Sequence, residues 1–242
     1  MATTLITGAS GGIGRETAKQ LAKAGDSLYL HFNTGEKAVR ELSAVLSRLY
    51  PNQTFTCVQA DLAKAGGPER LFAQLDRPIG AVVYTCGHSR VGLFQDVRPD
   101  DVQSSVQLDL VSLFFLIQKL VPPMIHAKKG KIIIVSSIWG LTGASTEVLY
   151  SMTKGGQNTF VKALAKELAP SGITVNAVAP GAVDTAMMQV FSAEDINIVK
   201  NDIPAGRLAR PEEIASLIRF LLSSQADYIN GQIISANGAW YC

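Results

Sequence analysis

A tyrosine, a lysine and a serine set the chemistry this chain can carry. Tyr150-Ser151-Met152-Thr153-Lys154 places a phenol and an amine four residues apart, and Ser137 stands thirteen residues before the tyrosine. In a helix, positions i and i+4 share a face, so the spacing predicts the Lys154 ammonium beside the Tyr150 phenol. A neighbouring cation favours phenolate and lowers the phenol pKa. That makes Tyr150 a proton donor or acceptor near neutral pH. A second cluster opens the chain: Thr7-Gly8-Ala9-Ser10-Gly11-Gly12-Ile13-Gly14. Glycines at 8, 12 and 14 permit a tight turn and close backbone approach to a pyrophosphate. A helix starting there adds N–H donors and positive potential. The spacing differs from the generic GxGxxG, and a glycine-rich turn without a ligand is the alternative reading.

Both clusters need elements to hold them. Short apolar runs predict strands at Thr3–Thr7, Ser27–Phe32, Phe55–Gln59, Ala81–Thr85, Lys131–Ser136, Thr174–Val178 and Gln232–Ser235. Amphipathic stretches between them predict helices at Gly12–Ala24, Glu36–Leu49, Pro68–Leu75, Asp101–Ala127, Tyr150–Leu168 and Pro211–Leu222. This alternation implies a parallel sheet covered by helices on both faces, a doubly wound α/β arrangement. Gly25 suits a helix C-terminus, and Pro211-Glu212-Glu213 a first helical turn. Gly181–Arg207 is the least regular stretch and reads as a mobile flap over a site.

Composition narrows the classes. The 242 residues are 47% hydrophobic with a net charge of +2, which fits one domain with a large core, residues 1–242. No Lys/Arg run suggests a nucleic-acid stripe, and no stretch approaches the roughly 20 apolar residues of a membrane span. The N-terminal apolar stretch is too short for a signal peptide and reads as a strand. Cys57, Cys86 and Cys242 are odd in number and lack CxxC spacing, as expected of reduced thiols in a cytoplasmic protein. Cys86 reads as a small buried hydrophobe. His31, His88 and His126 show no ligand spacing, so no metal is expected. Trp139 is a substrate-contact candidate; Met187 and Met188 fit core filling or substrate contact equally. The second strand ends at His31-Phe32-Asn33-Thr34 with no acid before Glu36. An acid there would bind the adenosine ribose and repel a 2′-phosphate, so NADPH is favoured over NADH. Arg15 and Lys37 are candidates to grip the phosphate.

The set Thr7-Gly-x-x-x-Gly-x-Gly14, Ser137, Tyr150-x-x-x-Lys154 and Pro180-Gly181 resembles the short-chain dehydrogenase/reductases, over the whole chain. Asn176–Gly181, Asp184-Thr185, Gly206-Arg207-Leu208 before Arg210–Ile214, Ile229–Gln232 and Asn237-Gly238 resemble the branch containing the 3-oxoacyl-[acyl-carrier-protein] reductases. Val135–Gly140, Thr142–Ser145, Glu147–Met152 and Ala239–Cys242 resemble, more narrowly, the bacillus-type reductases of the 5-aminopentanone modification on elongation factor P. The resemblance implies a Rossmann-type, seven-stranded parallel sheet of order 3-2-1-4-5-6-7. It implies Tyr150 as general acid, Ser137 as hydrogen-bond donor to the substrate carbonyl, and Lys154 as the group that lowers the Tyr150 pKa and holds the nicotinamide ribose. It further implies nucleotide contacts from Gly8, Ser10, Gly12, Ile13 and Gly14 in the turn, and from Asn33. Asp61 and Leu62 would border the adenine. Thr85, Gly87, Tyr150, Lys154, Pro180 and Gly181 would complete the site, with Val183 and Thr185 at the carboxamide.

The chain departs from the family pattern in two places. Asp109 stands where an Asn usually supports a water relay behind the lysine, which makes it a catalytic candidate of altered character. Tyr84-Thr85-Cys86-Gly87 replaces Asn-Asn-Ala-Gly. The expected function is NADPH-dependent ketone reduction by a cytoplasmic homotetramer assembled through the Asp101–Ala127 and Tyr150–Leu168 helices. The carbonyl would arrive on a protein, either acyl carrier protein or elongation factor P. An acidic carrier would need a basic rim, for which Lys128, Lys129 and Lys131 are candidates. The reading from another class is a non-catalytic NADP(H)-binding regulatory protein, motivated by Asp109.

Overall fold

Strand β5, Gly130–Val135, shows how the sequence builds the sheet. Ile132 and Ile134 enter the core on one face, while Ile133 and Val135 enter the core on the other. Side chains alternate across a strand, so an unbroken aliphatic run needs cover on both sides. β5 joins β1 (Thr3–Thr7), β2 (Ser27–Phe32), β3 (Phe55–Gln59), β4 (Ala81–Tyr84), β6 (Ile173–Pro180) and β7 (Ile233–Ala236) in one sheet. The computed structural model describes residues 3–242; Met1 and Ala2 of the expected N-terminal strand segment lie outside them. All pairings are parallel, in the order β3-β2-β1-β4-β5-β6-β7, as the resemblance implies. β1 lies between β2 and β4, so the chain reverses its direction of travel across the sheet there. Ligands of such sheets bind outside the strands' carboxyl ends at this switch point.

Helices α1 (Gly12–Lys23), α2 (Glu36–Leu49) and α9 (Pro211–Leu222) cover one face, with Leu21, Leu42 and Ile218 among the buried contacts. Helices α3 (Gly67–Phe72), α5 (Ser112–Ala127) and α7 (Val148–Leu168) cover the other through Leu71, Leu116 and Val161. Fully burying such side chains is worth roughly 1.5–3 kcal/mol each.

The single helix expected over Asp101–Ala127 is three pieces: α4 (Pro99–Val106), a π-helical turn over Gln107–Val111, and α5. The Ser112 N–H bonds to the Gln107 carbonyl, five residues back. The Ser112 hydroxyl donates to the Leu62 carbonyl at 2.6 Å and accepts from Gln107 Nε2 at 3.0 Å. The extra residue is therefore fastened from outside the helix. The run Pro99–Ala127 spans 29 residues and contains an 18-residue window of mean hydropathy 1.6, long and apolar enough by length and composition to cross a membrane. This corrects the expectation that no stretch qualifies. Half of that window is buried, and Leu113, Leu116, Leu120 and Met124 pack into the core, so its apolarity serves the sheet.

The segment Gly181–Arg207 is more regular than expected. It holds a 3-10 turn, Ala186–Val190, and helix α8, Ala193–Asp202. Ser192 and Asp195 form a reciprocal capping box at the start of α8, which satisfies two otherwise orphaned N–H groups.

Candidate active site

Ser137 lies just beyond the carboxyl end of β5, and the short helix α6, Trp139–Thr142, follows it. α6 rests directly on α7. A Cβ on Gly140 would lie 2.6 Å from the Lys154 carbonyl carbon, so only glycine permits this approach. Asn158 Nδ2 donates to the Gly140 carbonyl at 2.9 Å, and the Ser136 hydroxyl donates to the Lys154 carbonyl at 3.3 Å. These contacts fix α7 against the end of β5 and bring Tyr150 and Ser137 onto the wall of one cavity.

Lys154 is buried, and its ammonium lies 5.5 Å from the centroid of the Tyr150 ring. It donates to the Val135 carbonyl at 3.2 Å and to Gln157 Oε1 at 3.1 Å. Asp109 Oδ1 is 3.7 Å from the ammonium. Gly87 runs close against this pair: a Cβ there would lie 2.8 Å from Lys154 Nζ and 3.3 Å from Asp109 Oδ1. The sequence predicts a Tyr150 pKa lowered by the lysine. The structure corrects this: desolvation by burial raises it and outweighs the lowering by Lys154 and by the Ser137 hydrogen bond. Asp109 and Glu147 add to the raise. The resting phenol therefore carries its proton, the state a proton donor needs.

A cavity of about 350 Å³ opens over this group. Of the predicted nucleotide contacts, Ile13, Thr85, Gly87, Tyr150, Lys154, Pro180, Gly181, Val183 and Thr185 line it. Trp139, Met187 and Met188 line it too, so both methionines face the substrate space. Gly8, Ser10, Gly12 and Gly14 shape the turn at its edge. A Cβ on Gly14 would lie 2.3 Å from the Gly8 carbonyl oxygen, and one on Gly12 would lie 2.7 Å from Thr185 Cγ2. The start of α1 has no side-chain cap and no acid in its first turn, so its N–H donors and positive end suit a phosphate. A dinucleotide fits this donor set. Asn33 is exposed at the end of β2. Asp61 is partly buried and accepts the Ala63 N–H at 3.0 Å. The Leu62 side chain is turned into the core and its carbonyl is taken by Ser112, which leaves the Asp61 side chain and the local backbone to border an adenine. Asp109 does not line the cavity. It sits behind Lys154, 1% exposed.

Lys128, Lys129 and Lys131 do not form a rim. They stand at the amino end of β5, on the opposite edge of the sheet from the cavity, where Lys131 pairs with Asp227 at 2.6 Å.

Sequence reasoning missed four participants. Gln157 is fully buried and bridges Lys154 to the Asp109 backbone, donating from Nε2 to that carbonyl at 2.9 Å. The Thr153 hydroxyl donates to Asp109 Oδ2 at 2.8 Å. Glu147 lines the cavity and accepts from the Ser89 hydroxyl. His31, read only as a non-ligand, accepts the Gly8 N–H on Nδ1 at 3.2 Å, and its Nε2 lies 3.0 Å from the Ala60 carbonyl. Burial holds its pKa down to about 4, so the ring is neutral and ties the turn to the end of β3. A polar residue at three-residue spacing from Lys154 was the available signal for Gln157; nothing local marked His31. Burial likewise pushes the Cys86 thiol up to about 11; the side chain is half-buried and packs against the core.

Comparison with known proteins gives a consistent picture. Residues 8–239 match the model of the family described as enoyl-(acyl carrier protein) reductase. The chain is 52% identical over 99% of both chains to an uncharacterized oxidoreductase, YmfI, of Bacillus subtilis. It is 34% identical to the 3-oxoacyl-[acyl-carrier-protein] reductase FabG of Aquifex aeolicus, covering 98% of this chain and 96% of that one. Among solved structures, a 3-oxoacyl-[acyl-carrier protein] reductase from Brucella melitensis superposes with a TM-score of 0.92 at 28% identity, over 100% of this chain and 91% of that one. The angucycline C-6 ketoreductase LanV with bound NADP superposes at 0.90 and 29% identity, over 98% and 94%.

Proposed function

Because this chain belongs to the short-chain dehydrogenase/reductase family, we propose that it is an NADPH-dependent ketone reductase of the 3-oxoacyl-[acyl-carrier-protein] reductase type. The observation that carries this is the convergence of Ser137, Tyr150 and Lys154 on one cavity shared with Ile13, Gly181 and Thr185. When bound, NADPH supplies the hydride that reaches the carbonyl carbon. The uncapped start of α1 and the turn at Gly8–Gly14 would hold the pyrophosphate, and Lys154 would hold the nicotinamide ribose. Tyr150 gives its phenolic proton to the carbonyl oxygen as negative charge develops there. The Ser137 hydroxyl donates a hydrogen bond to the same oxygen, an oxyanion-type stabilisation. Asp109 acts on this set from behind, through Lys154.

The 2′-phosphate preference rests on the end of β2. Glu36, the first acid after it, is engaged by Arg40 at 2.7 Å. Among the described residues Arg15 and Lys37 form no ion pair and are exposed, so both are free to meet a phosphate. A homotetramer is supported by the outer faces of α5 and α7, which leave Phe114, Phe115, Val148 and Met152 exposed; light scattering of the purified protein reads it directly.

A second reading is reduction of the 5-aminopentanone group on elongation factor P. The observation favouring it is Glu147 on the cavity wall beside Trp139 and Trp240, whose rings pack edge-on at 5.0 Å. A carboxylate and aromatic faces suit a ketone that carries an ammonium group. A neutral acyl thioester has no use for that carboxylate. The third reading, a non-catalytic NADP(H)-binding regulator, is eliminated by turnover on any ketone.

The experiment follows NADPH oxidation with an acetoacetyl thioester, a crotonyl thioester and aminopentanone-bearing elongation factor P, side by side. Ketone reduction on either the first or the third substrate, with the crotonyl compound untouched, is the expected result. Tyr150→Phe abolishes turnover and retains nucleotide binding, measured by NADPH fluorescence. Substantial turnover by that variant refutes the mechanism.

A further inference from the structure

The Lys154–Asp109 pair is buried on both sides, 3% and 1% exposed, yet it is open. A closed charge-assisted hydrogen bond has a length of roughly 2.7–2.9 Å, and this one measures 3.7 Å. Asp109 Oδ1 is left with no hydrogen-bond donor, while Oδ2 takes the Thr153 hydroxyl. A buried ammonium beside a buried, unsatisfied carboxylate oxygen should close on it, because nothing in a low-dielectric interior screens the attraction. Something holds the two apart.

The side chain in position to do so is Gln157. Its two amide ends are used in opposite directions: Oε1 accepts from Lys154 Nζ and Nε2 donates to the Asp109 carbonyl. It is fully buried, and it sits one helical turn from Lys154 on α7, facing the π-helical turn that carries Asp109. We propose that Gln157 is a positioning residue that keeps Lys154 from being captured by Asp109, so that the ammonium's field reaches Tyr150. The proposal rests on the reading of Tyr150 as proton donor. The charged and polar groups that act on the Tyr150 phenol are Lys154 from α7, Glu147 at the start of α7, Asp109 from the π-helical turn and the Ser137 hydroxyl after β5. Of these, Gln157 touches Lys154 through its side chain and Asp109 through its backbone carbonyl, so it sets the spacing of that pair. Without the amide, the ammonium loses one of two firm acceptors, and the nearest replacement is Asp109 Oδ1. Moving it there turns the cation away from the phenol and leaves the phenol harder to ionise.

The test uses Gln157→Met, which keeps length and shape and removes both hydrogen bonds. Tyr150 ionisation is read without turnover, as the tyrosinate absorbance difference between each protein and its Tyr150→Phe counterpart. The pH profile of kcat/KM for ketone reduction is read in parallel. Gln157→Met raises the Tyr150 midpoint by on the order of one unit. Adding Asp109→Asn, which still accepts from Thr153 but carries no charge, abolishes that shift. A Tyr150 midpoint unchanged in Gln157→Met overturns the proposal. So does a shift of equal size in the Asp109→Asn background, because Asp109 would then have no part in it. If Gln157→Met does not fold by circular dichroism, Gln157→Asn, too short to span both partners, is read by the same criteria. Loss of the Tyr150 mechanism itself would show differently, as turnover surviving in Tyr150→Phe.

Discussion

Replacing Lys154 by Met removes the cation nearest the Tyr150 phenol while keeping a long, flexible side chain in place. The ammonium lies 5.5 Å from the Tyr150 ring centroid. Coulomb's law with an effective dielectric of about 20 gives roughly 3 kcal/mol at that distance, or about two pKa units. With the dielectric of water the same distance gives only about half a unit. Lys154→Met therefore raises the Tyr150 pKa by about two units if the protein interior transmits the field. Ketone reduction at neutral pH then falls by at least about 100-fold, in the range that general acid catalysis supplies. The substitution also strands Asp109. Breaking a buried pair from one side costs on the order of 3–5 kcal/mol, and Oδ1 already lacks a donor. Denaturant unfolding at neutral pH reads that loss, and Lys154→Met/Asp109→Asn recovers part of it. The difference titration between Lys154→Met and Lys154→Met/Tyr150→Phe reads the electrostatic effect. A shift of half a unit or less in a folded variant refutes the reasoning, since Lys154 would then act on the phenol as if through water.

Two other outcomes follow from the nucleotide side. His31 is held at about 4 by burial, below its ordinary 6.5. The unfolded chain therefore takes the proton first, so stability is full above pH 6.5 and falls as pH drops towards 4, by up to roughly 3 kcal/mol. Urea midpoints at pH 7 and pH 4.5 check this, and His31→Asn flattens the slope; an equal slope in that variant contradicts the assignment. Asn33→Asp places a carboxylate at the end of β2 where a 2′-phosphate is expected. NADPH affinity by fluorescence titration drops by tenfold or more, about 1.4 kcal/mol, while NADH affinity holds or improves. Equal losses for both nucleotides would move the phosphate site elsewhere.

The parts of the site legible in the sequence are those fixed by local spacing. Tyr150 and Lys154 meet because one helix carries both, and Gly14 in the first turn of α1 is glycine because the Gly8 carbonyl would lie 2.3 Å from a Cβ there. The strand order came from the family resemblance, since periodicity alone does not order parallel strands. The sign of the Tyr150 shift was misread because burial is a property of the assembled pocket and no neighbour in the chain reveals it. Gln157 and Asp109 are far apart in sequence, and their contact exists only after α7 packs on the π-helical turn. α8 was overlooked although Ser192 and Asp195 carried a legible capping signal. Weak apolar periodicity over Gly181–Arg207 hid it, since α8 buries no residue fully.

The π-helical turn at Gln107–Val111 has a consequence for how such a site arises. A π turn is an α-helix that holds one residue too many. Each α-helical residue advances the side-chain direction by about 100°, so one surplus residue sets the faces of α4 and α5 out of phase. α5 can thus keep its aliphatic face on the sheet while Asp109 faces Lys154. Loss of one codon in this stretch would restore an unbroken helix and leave the sheet-packing pattern of α5 intact, yet swing Asp109 away. The chemistry and the architecture are separable here by an insertion or deletion of a single residue, a change that no substitution elsewhere in the helix reproduces.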